Sequence, residues 1–146
     1  MTELSRAVLV AEARRWIGTP YAHQASLIHV GCDCLGLVRG VWRGVIGAEP
    51  EAMTPYAPAW SLSSSRETLL DAARRHLVEI ASRYAREGDV LLFRWRDGLP
   101  AAHAAILAAS QSFIHAHDGA AVAEVHFSQW WRRHLVAAFS FPGATG

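Results

Sequence analysis

The stretch Asp33-Cys34-Leu35-Gly36-Leu37-Val38-Arg39-Gly40-Val41-Trp42-Arg43-Gly44-Val45 decides how the chain is read. Val38, Val41, Trp42 and Val45 recur at i, i+3, i+4 and i+7, the spacing of one apolar helix face. Asp33 stands just before the pattern, where a side-chain oxygen can accept from the unpaired N–H groups of a first turn. A helix therefore begins at Cys34, and its thiol lies at the positive end of the helix dipole. That position favours a thiolate. The same N–H groups can hold the oxyanion of an attacked carbonyl, and Gly36 keeps the turn uncluttered. The competing reading is a small, buried, inert cysteine.

Upstream, Ser5 through Ile17 reads as a helix with Val8, Ala11, Arg15 and Trp16 near one stripe, stopped by Gly18. Thr19-Pro20-Tyr21 turns the chain into a polar loop over residues 22–32. Downstream, residues 48–60 carry Pro50, Pro55 and Pro58 and read as an irregular connection. Ser64 with Glu67 is a capping-box pattern. The helix it opens is expected to reach about Tyr84, burying Leu69, Leu70, Ala73, Leu77 and Ile80. After Glu87-Gly88-Asp89 the pattern changes to strands: Asp89–Trp95, His103–Ala109, Phe113–His117, Ala121–Val125 and, after a helical turn at Ser128–Arg132, Leu135–Phe141. Helices first and strands second give an α+β class, with N-terminal helices packed on a small antiparallel sheet.

Length and composition agree with one domain over residues 1–146, 51% hydrophobic and 18% charged. A net charge of +1 lacks the basic footprint of a nucleic-acid binder. No apolar run approaches the ~18 residues of a membrane span. Met1-Thr2-Glu3-Leu4-Ser5-Arg6 lacks the features of a signal peptide, so synthesis in the cytoplasm without export is expected. Cys32 and Cys34 are the two cysteines, too close for an unstrained disulfide, which points to free thiols.

A thiol nucleophile needs a base. If Ala109-Ser110-Gln111 is a hairpin loop, His103 lies opposite His117 with His115 as its diagonal neighbour, all three on one sheet face. One of the latter two would hold His103 in the right tautomer, as the third member of a triad does. Geometry alone leaves His115 and His117 open.

Three stretches together resemble the NlpC-type family of papain-like cell-wall cysteine peptidases. They are Gly18-Thr19-Pro20-Tyr21 with Asp33-Cys34-Leu35-Gly36-Leu37-Val38; Gly88-Asp89-Val90-Leu91-Leu92-Phe93; and His103-Ala104-Ala105-Ile106-Leu107 with Phe113-Ile114-His115-Ala116. The resemblance implies a papain-like core and a Cys-His-His triad of Cys34 (nucleophile), His103 (base) and His115 (orienting residue). Tyr21 and Asp33 are placed on the substrate side. The implied substrate is the peptidoglycan stem peptide, cut between D-glutamate and a diamino acid, with no metal or other cofactor. One departure is Leu35, where the family usually has Ser. Members carried on tails of phages or gene transfer agents tolerate this Leu. With neither an export signal nor a separate wall-binding module read in the sequence, a virion-like tail is the expected location, with tail-tip or hub proteins as partners.

Three rival readings stand beside this one: a transferase that hands the acyl group of the same thioester to an amine or alcohol, a zinc site, and a non-catalytic module. Cys32-x-Cys34 with His115-x-His117 offers zinc ligands, although structural zinc sites favour cysteines two to four residues apart. A non-catalytic module of a tail assembly, structural or peptidoglycan-binding, would retain the fold without turnover. Trp130 and Trp131 beside Arg132 and Arg133 form a candidate docking patch, against a packed C-terminal helix as the plainer alternative.

Overall fold

The computed structural model describes residues 4–50 and 67–145. Chain order is β1 (Leu4–Ser5), α1 (Arg6–Arg15), β2 (Ser26–Leu27), β3 (Gly31–Cys32), α2 (Cys34–Val45), α3 (Thr68–His76) and β4 (Val78–Ile80). A 3₁₀ turn at Ser82–Tyr84 leads to β5 (Val90–Phe93), β6 (His103–Ala109), β7 (Ser112–His115), β8 (Ala123–His126), α4 (Gln129–Arg133), β9 (Leu135–Ser140) and β10 (Ala144–Thr145). The main sheet is antiparallel throughout, with six strands in the order β4-β9-β5-β6-β7-β8. The α+β class expected from the sequence is the class observed.

Alternation along the central strands sorts side chains into two apolar layers. Val90, Leu92, Ala104, Ile106, Ala108 and Ile114 face the layer that includes Leu9 and Ala13 of α1 and Leu37 and Val41 of α2. Leu91, Phe93, Ala105, Leu107 and Phe113 face a second layer closed by Phe127 and Trp131. Both faces are covered, so β5 reads as an unbroken apolar run, Val90-Leu91-Leu92-Phe93. Each large side chain fully buried in this way contributes about 1.5–3 kcal/mol. His103 and His115 share the parity of Leu107 and Phe113, which puts both imidazoles on the sheet face opposite α1 and α2, the face that Trp131 of α4 covers.

The β6–β7 hairpin keeps the expected register by another route. Ile106 pairs with Ile114 and Leu107 with Phe113, but Ala109 pairs with Ser112 across a bulge. The turn is thus two residues, Ser110-Gln111, and the bulge restores the offset that a three-residue loop would have given.

Three expectations change. The buried stripe of α1 is Leu9, Val10 and Ala13, continued by Trp16, while Val8 is 51% exposed. Trp16 is common to the expected and the observed stripe, and the rest of the buried face is rotated from the expected one. The helix expected to reach Tyr84 stops at His76, because Leu77 turns extended (φ −114°, ψ 168°) and Val78–Ile80 pairs with β9 at the sheet edge. A β-branched residue at each end of that tripeptide suits the pleat better than a helix. Glu67 does not cap α3 with its side chain; its Oε1 accepts from the Ala101 N–H at 2.9 Å. Its expected partner Ser64, like Pro55 and Pro58, lies outside the described residues. Two pairings were not foreseen: β1 beside β10 in parallel, and the short hairpin β2–β3.

Candidate active site

Asp33 builds the thiol side. Its backbone is extended, and its Oδ1 accepts from the Gly36 N–H at 2.7 Å, which starts α2 at Cys34. Its Oδ2 accepts from the Gln24 N–H at 2.8 Å and so ties the preceding loop to the helix. Gln24 is in the left-handed region, φ 63°, held there by that anchor and by the hairpin below it. Gly36 is dictated by closeness: a Cβ there would stand 1.9 Å from the Ala25 carbonyl oxygen. Asp33 was expected on the substrate side. It is 3% exposed, and with its two oxygens accepting from backbone N–H groups it shapes the helix start and the loop.

Cys34 is partly buried at this junction, and the backbone N–H groups of Ala104, Leu35 and Cys34 itself act on its sulfur in the sense that favours the thiolate. Ala104 follows His103 on β6, so the helix start and the His-bearing strand end meet at the sulfur. Burial, then the Asp33 charge, push the thiol up to about 12, against the pull of those N–H groups. The sequence reading of a helix N-terminus favouring the thiolate is therefore reversed in the resting site. The dipole and three donors are outweighed by desolvation and by a buried carboxylate one residue away. Burial likewise raises Cys32 to about 12, and this residue is enclosed completely.

His103 Nε2 and His115 Nδ1 are 2.9 Å apart in a buried hydrogen bond. With 3% and 7% exposure they are enclosed by aromatic rings. Trp131 stacks on His103 at 5.6 Å between centroids, and Trp95 lies 5.2 Å away on a tilted plane. Burial, then the neighbouring His115 and His117, hold His103 well below its ordinary value; burial and His117 bring His115 to about 4. Both imidazoles are neutral at pH 7. His117 is exposed, 5.6 Å from each of the other two rings. Of the two histidines that sequence geometry left open, His115 is the one bonded to His103.

Tyr21 pairs through its backbone with Cys32. It is half-buried, and its phenol is pushed up to about 12 by burial, then by the nearby Asp33 carboxylate. Leu35 lines an apolar cavity with Val38, Trp42, Leu69 and Leu92. It therefore takes part in the interior between helices and sheet rather than only in the cleft wall. Among the described residues no group of three or more His, Cys, Asp or Glu is arranged to hold a metal ion, so the zinc reading finds no geometry. No described helix is long and apolar enough to cross a membrane.

Sequence reasoning missed the aromatic walls Trp95 and Trp131. The signal was present: Trp95 lies two residues past Phe93, which pairs with His103, and Ser128 caps the turn that carries Trp131. The pair once read as a patch divides, since Trp131 encloses the imidazoles while Trp130 is 43% exposed and stacks on His134.

An α+β fold in which a cysteine opens a helix against an antiparallel sheet bearing paired histidines is papain-like, and solved structures share it. The NlpC/p60 domain of the peptidoglycan hydrolase SagA is 27% identical with a TM-score of 0.67, the match covering 93% of this chain and 98% of that one. The chain belongs to the NlpC/P60 family, whose sequence pattern matches residues 18–140. An NlpC/P60 family protein from Bacillus cereus ATCC 10987 shares the fold at 15% identity and a TM-score of 0.69, covering 96% of this chain and 41% of that one. The peptidoglycan hydrolase RipB from Mycobacterium tuberculosis does so at 17% and 0.56, covering 92% and 64%. A search of curated proteins finds no match.

Proposed function

We propose that this chain is a cysteine endopeptidase that hydrolyses peptidoglycan stem peptides between D-glutamate and the diamino acid, with Cys34 as nucleophile, His103 as base and His115 as the residue that positions it. One observation carries the reading: the Cys34 sulfur meets the backbone beside His103, whose far nitrogen is held by His115. The substrate follows from family membership and from similarity to the peptidoglycan hydrolases SagA and RipB.

The chemistry follows from the protonation states. If His103 Nε2 donates its proton to His115 Nδ1, then His103 Nδ1 is the basic nitrogen. A neutral thiol and a neutral imidazole make attack a general-base step. As sulfur bonds to the carbonyl carbon, its proton passes to His103 Nδ1. The Gly36 N–H is already given to Asp33, which leaves the other N–H groups of the first turn, those of Cys34 and Leu35, to receive the developing oxyanion. Collapse breaks the amide bond, and the leaving amine takes the proton from His103. Water then attacks the thioester, again losing its proton to His103, and the acid departs as the thiol is re-protonated.

Incubation with purified soluble stem peptides, followed by mass spectrometry, tests the reading. Two products that together gain one water support it, and an intact but bound peptide supports a non-catalytic module instead. Delivery on a phage-like tail is a further proposal, resting on Leu35 after the nucleophile. Co-purification of tail-tip or hub proteins would support it, and tight sacculus binding by the free protein would oppose it.

A further inference from the structure

An open hollow lies beside the paired histidines. Trp95, Arg96, Leu99 and His117 line it. It is a shallow hollow of about 410 Å³, wide open to solvent, with room for a peptide residue and its side chain. It also adjoins the site. Trp95 lies 5.2 Å from the His103 ring and meets His117 edge-on at 5.6 Å, so a group seated there is one ring away from His103.

Charge is distributed unevenly around the cleft. The carboxylates of Asp33 and Asp118 act on the Tyr21 phenol, placing negative charge on that side. The hollow instead presents Arg96, which is exposed. Arg6, Arg14, Arg15, Arg39, Arg43 and Arg74 each have a carboxylate partner. Arg96 has no hydrogen bond or ion pair from its side chain among the described residues, although Asp97 follows it in sequence. A planar guanidinium beside an indole matches a carboxylate held in two parallel hydrogen bonds, shielded from water on one side.

We propose that Arg96, with Trp95, Leu99 and His117, forms a subsite for a free carboxylate on the substrate residue next to the bond cleaved. This rests on the peptidase reading and names one determinant of its specificity. A γ-linked glutamyl residue keeps its α-carboxylate and a diamino acid can carry its own, so two carboxylates meet the requirement, and each can be masked as an amide.

The test measures three stem peptides: unmodified, amidated at the glutamyl α-carboxylate, and amidated on the diamino acid. Binding is read by calorimetry in the Cys34→Ala protein, where no turnover interferes, and cleavage in the otherwise native protein. One amidated peptide should bind about 10-fold more weakly than the free acid, the scale of a lost charge-assisted hydrogen bond, and which one names the carboxylate. Introducing Arg96→Gln should bring that ratio close to one, and Arg96→Lys should restore part of it. An unchanged ratio in Arg96→Gln, equal binding of all three peptides, or no binding of any overturns the subsite. Failure of the native protein to cleave peptides that it binds overturns the peptidase reading and leaves the binding ratio to judge the subsite by itself.

Discussion

On the sheet side of the cleft, His103 and His115 stand on adjacent strands, bonded to each other and enclosed by Trp95 and Trp131. On the helix side, Cys34 sits where a loop with a left-handed residue turns into a helix, held by one buried carboxylate. The first side is assembled like a core, from strand parity and aromatic packing. The second is a junction, fixed by a few hydrogen bonds and a glycine that accepts a carbonyl at its Cα. Burial acts on both in the same sense, toward neutral groups, which gives an uncharged thiol and an uncharged base. The difference is in tolerance: a packed wall resists a change of conditions, whereas a junction fails when one anchor is removed.

Substitutions can break that comparison. Cys34→Ala should abolish peptide cleavage while the thermal transition stays near that of the native protein, and Cys32→Ala should keep most activity. A dead Cys32→Ala beside an active Cys34→Ala would move the nucleophile. His103→Ala should lower kcat/KM by ~10²–10⁴. His115→Ala should cost less than that but more than His117→Ala, and the reverse order would pass the positioning role to His117.

Gly36→Ala separates the two sides by stability. Its Cβ would meet the Ala25 carbonyl, so a loss of about 1–3 kcal/mol is expected from denaturant unfolding. Retained stability would show that the junction yields more readily than its contacts imply. Asp33→Asn removes the charge that raises the thiol, so the pH midpoint of iodoacetamide alkylation at Cys34 should fall. An upward movement would mean that Asp33 matters chiefly for the helix start.

The smallest effect concerns pH. His115 titrates at about 4 in the folded chain against an ordinary 6.5, so the unfolded chain binds more protons between those pH values. The contribution of neutral His115 is complete above pH 6.5 and is lost as pH falls toward 4. The melting temperature should decline over that interval, and His115→Gln should flatten the decline. An identical profile in the variant would remove His115 as its cause.

The sequence showed some parts of this in advance. β6 was read at both of its ends, His103 and Ala109, because a strand of small and apolar residues is bounded by turn chemistry. The α2 start was legible from Asp33 before an apolar repeat. What escaped was set by tertiary contacts. Val78–Ile80 becomes a strand only because β9 offers it an edge, and the phase of α1 shows only once it packs on the sheet. The thiol's charge state depends on how deeply the junction is buried, which no first-turn argument contains.

The most direct test of the central claim is to trap the acyl-enzyme. A soluble stem peptide is mixed with the protein, quenched in acid and read by intact-protein and peptide mapping mass spectrometry. The account predicts a peptide fragment in thioester linkage on Cys34, absent in Cys34→Ala and diminished in His103→Ala, together with the free amine-bearing product. Cleavage that persists in Cys34→Ala, or an adduct mapped to Cys32, would contradict it.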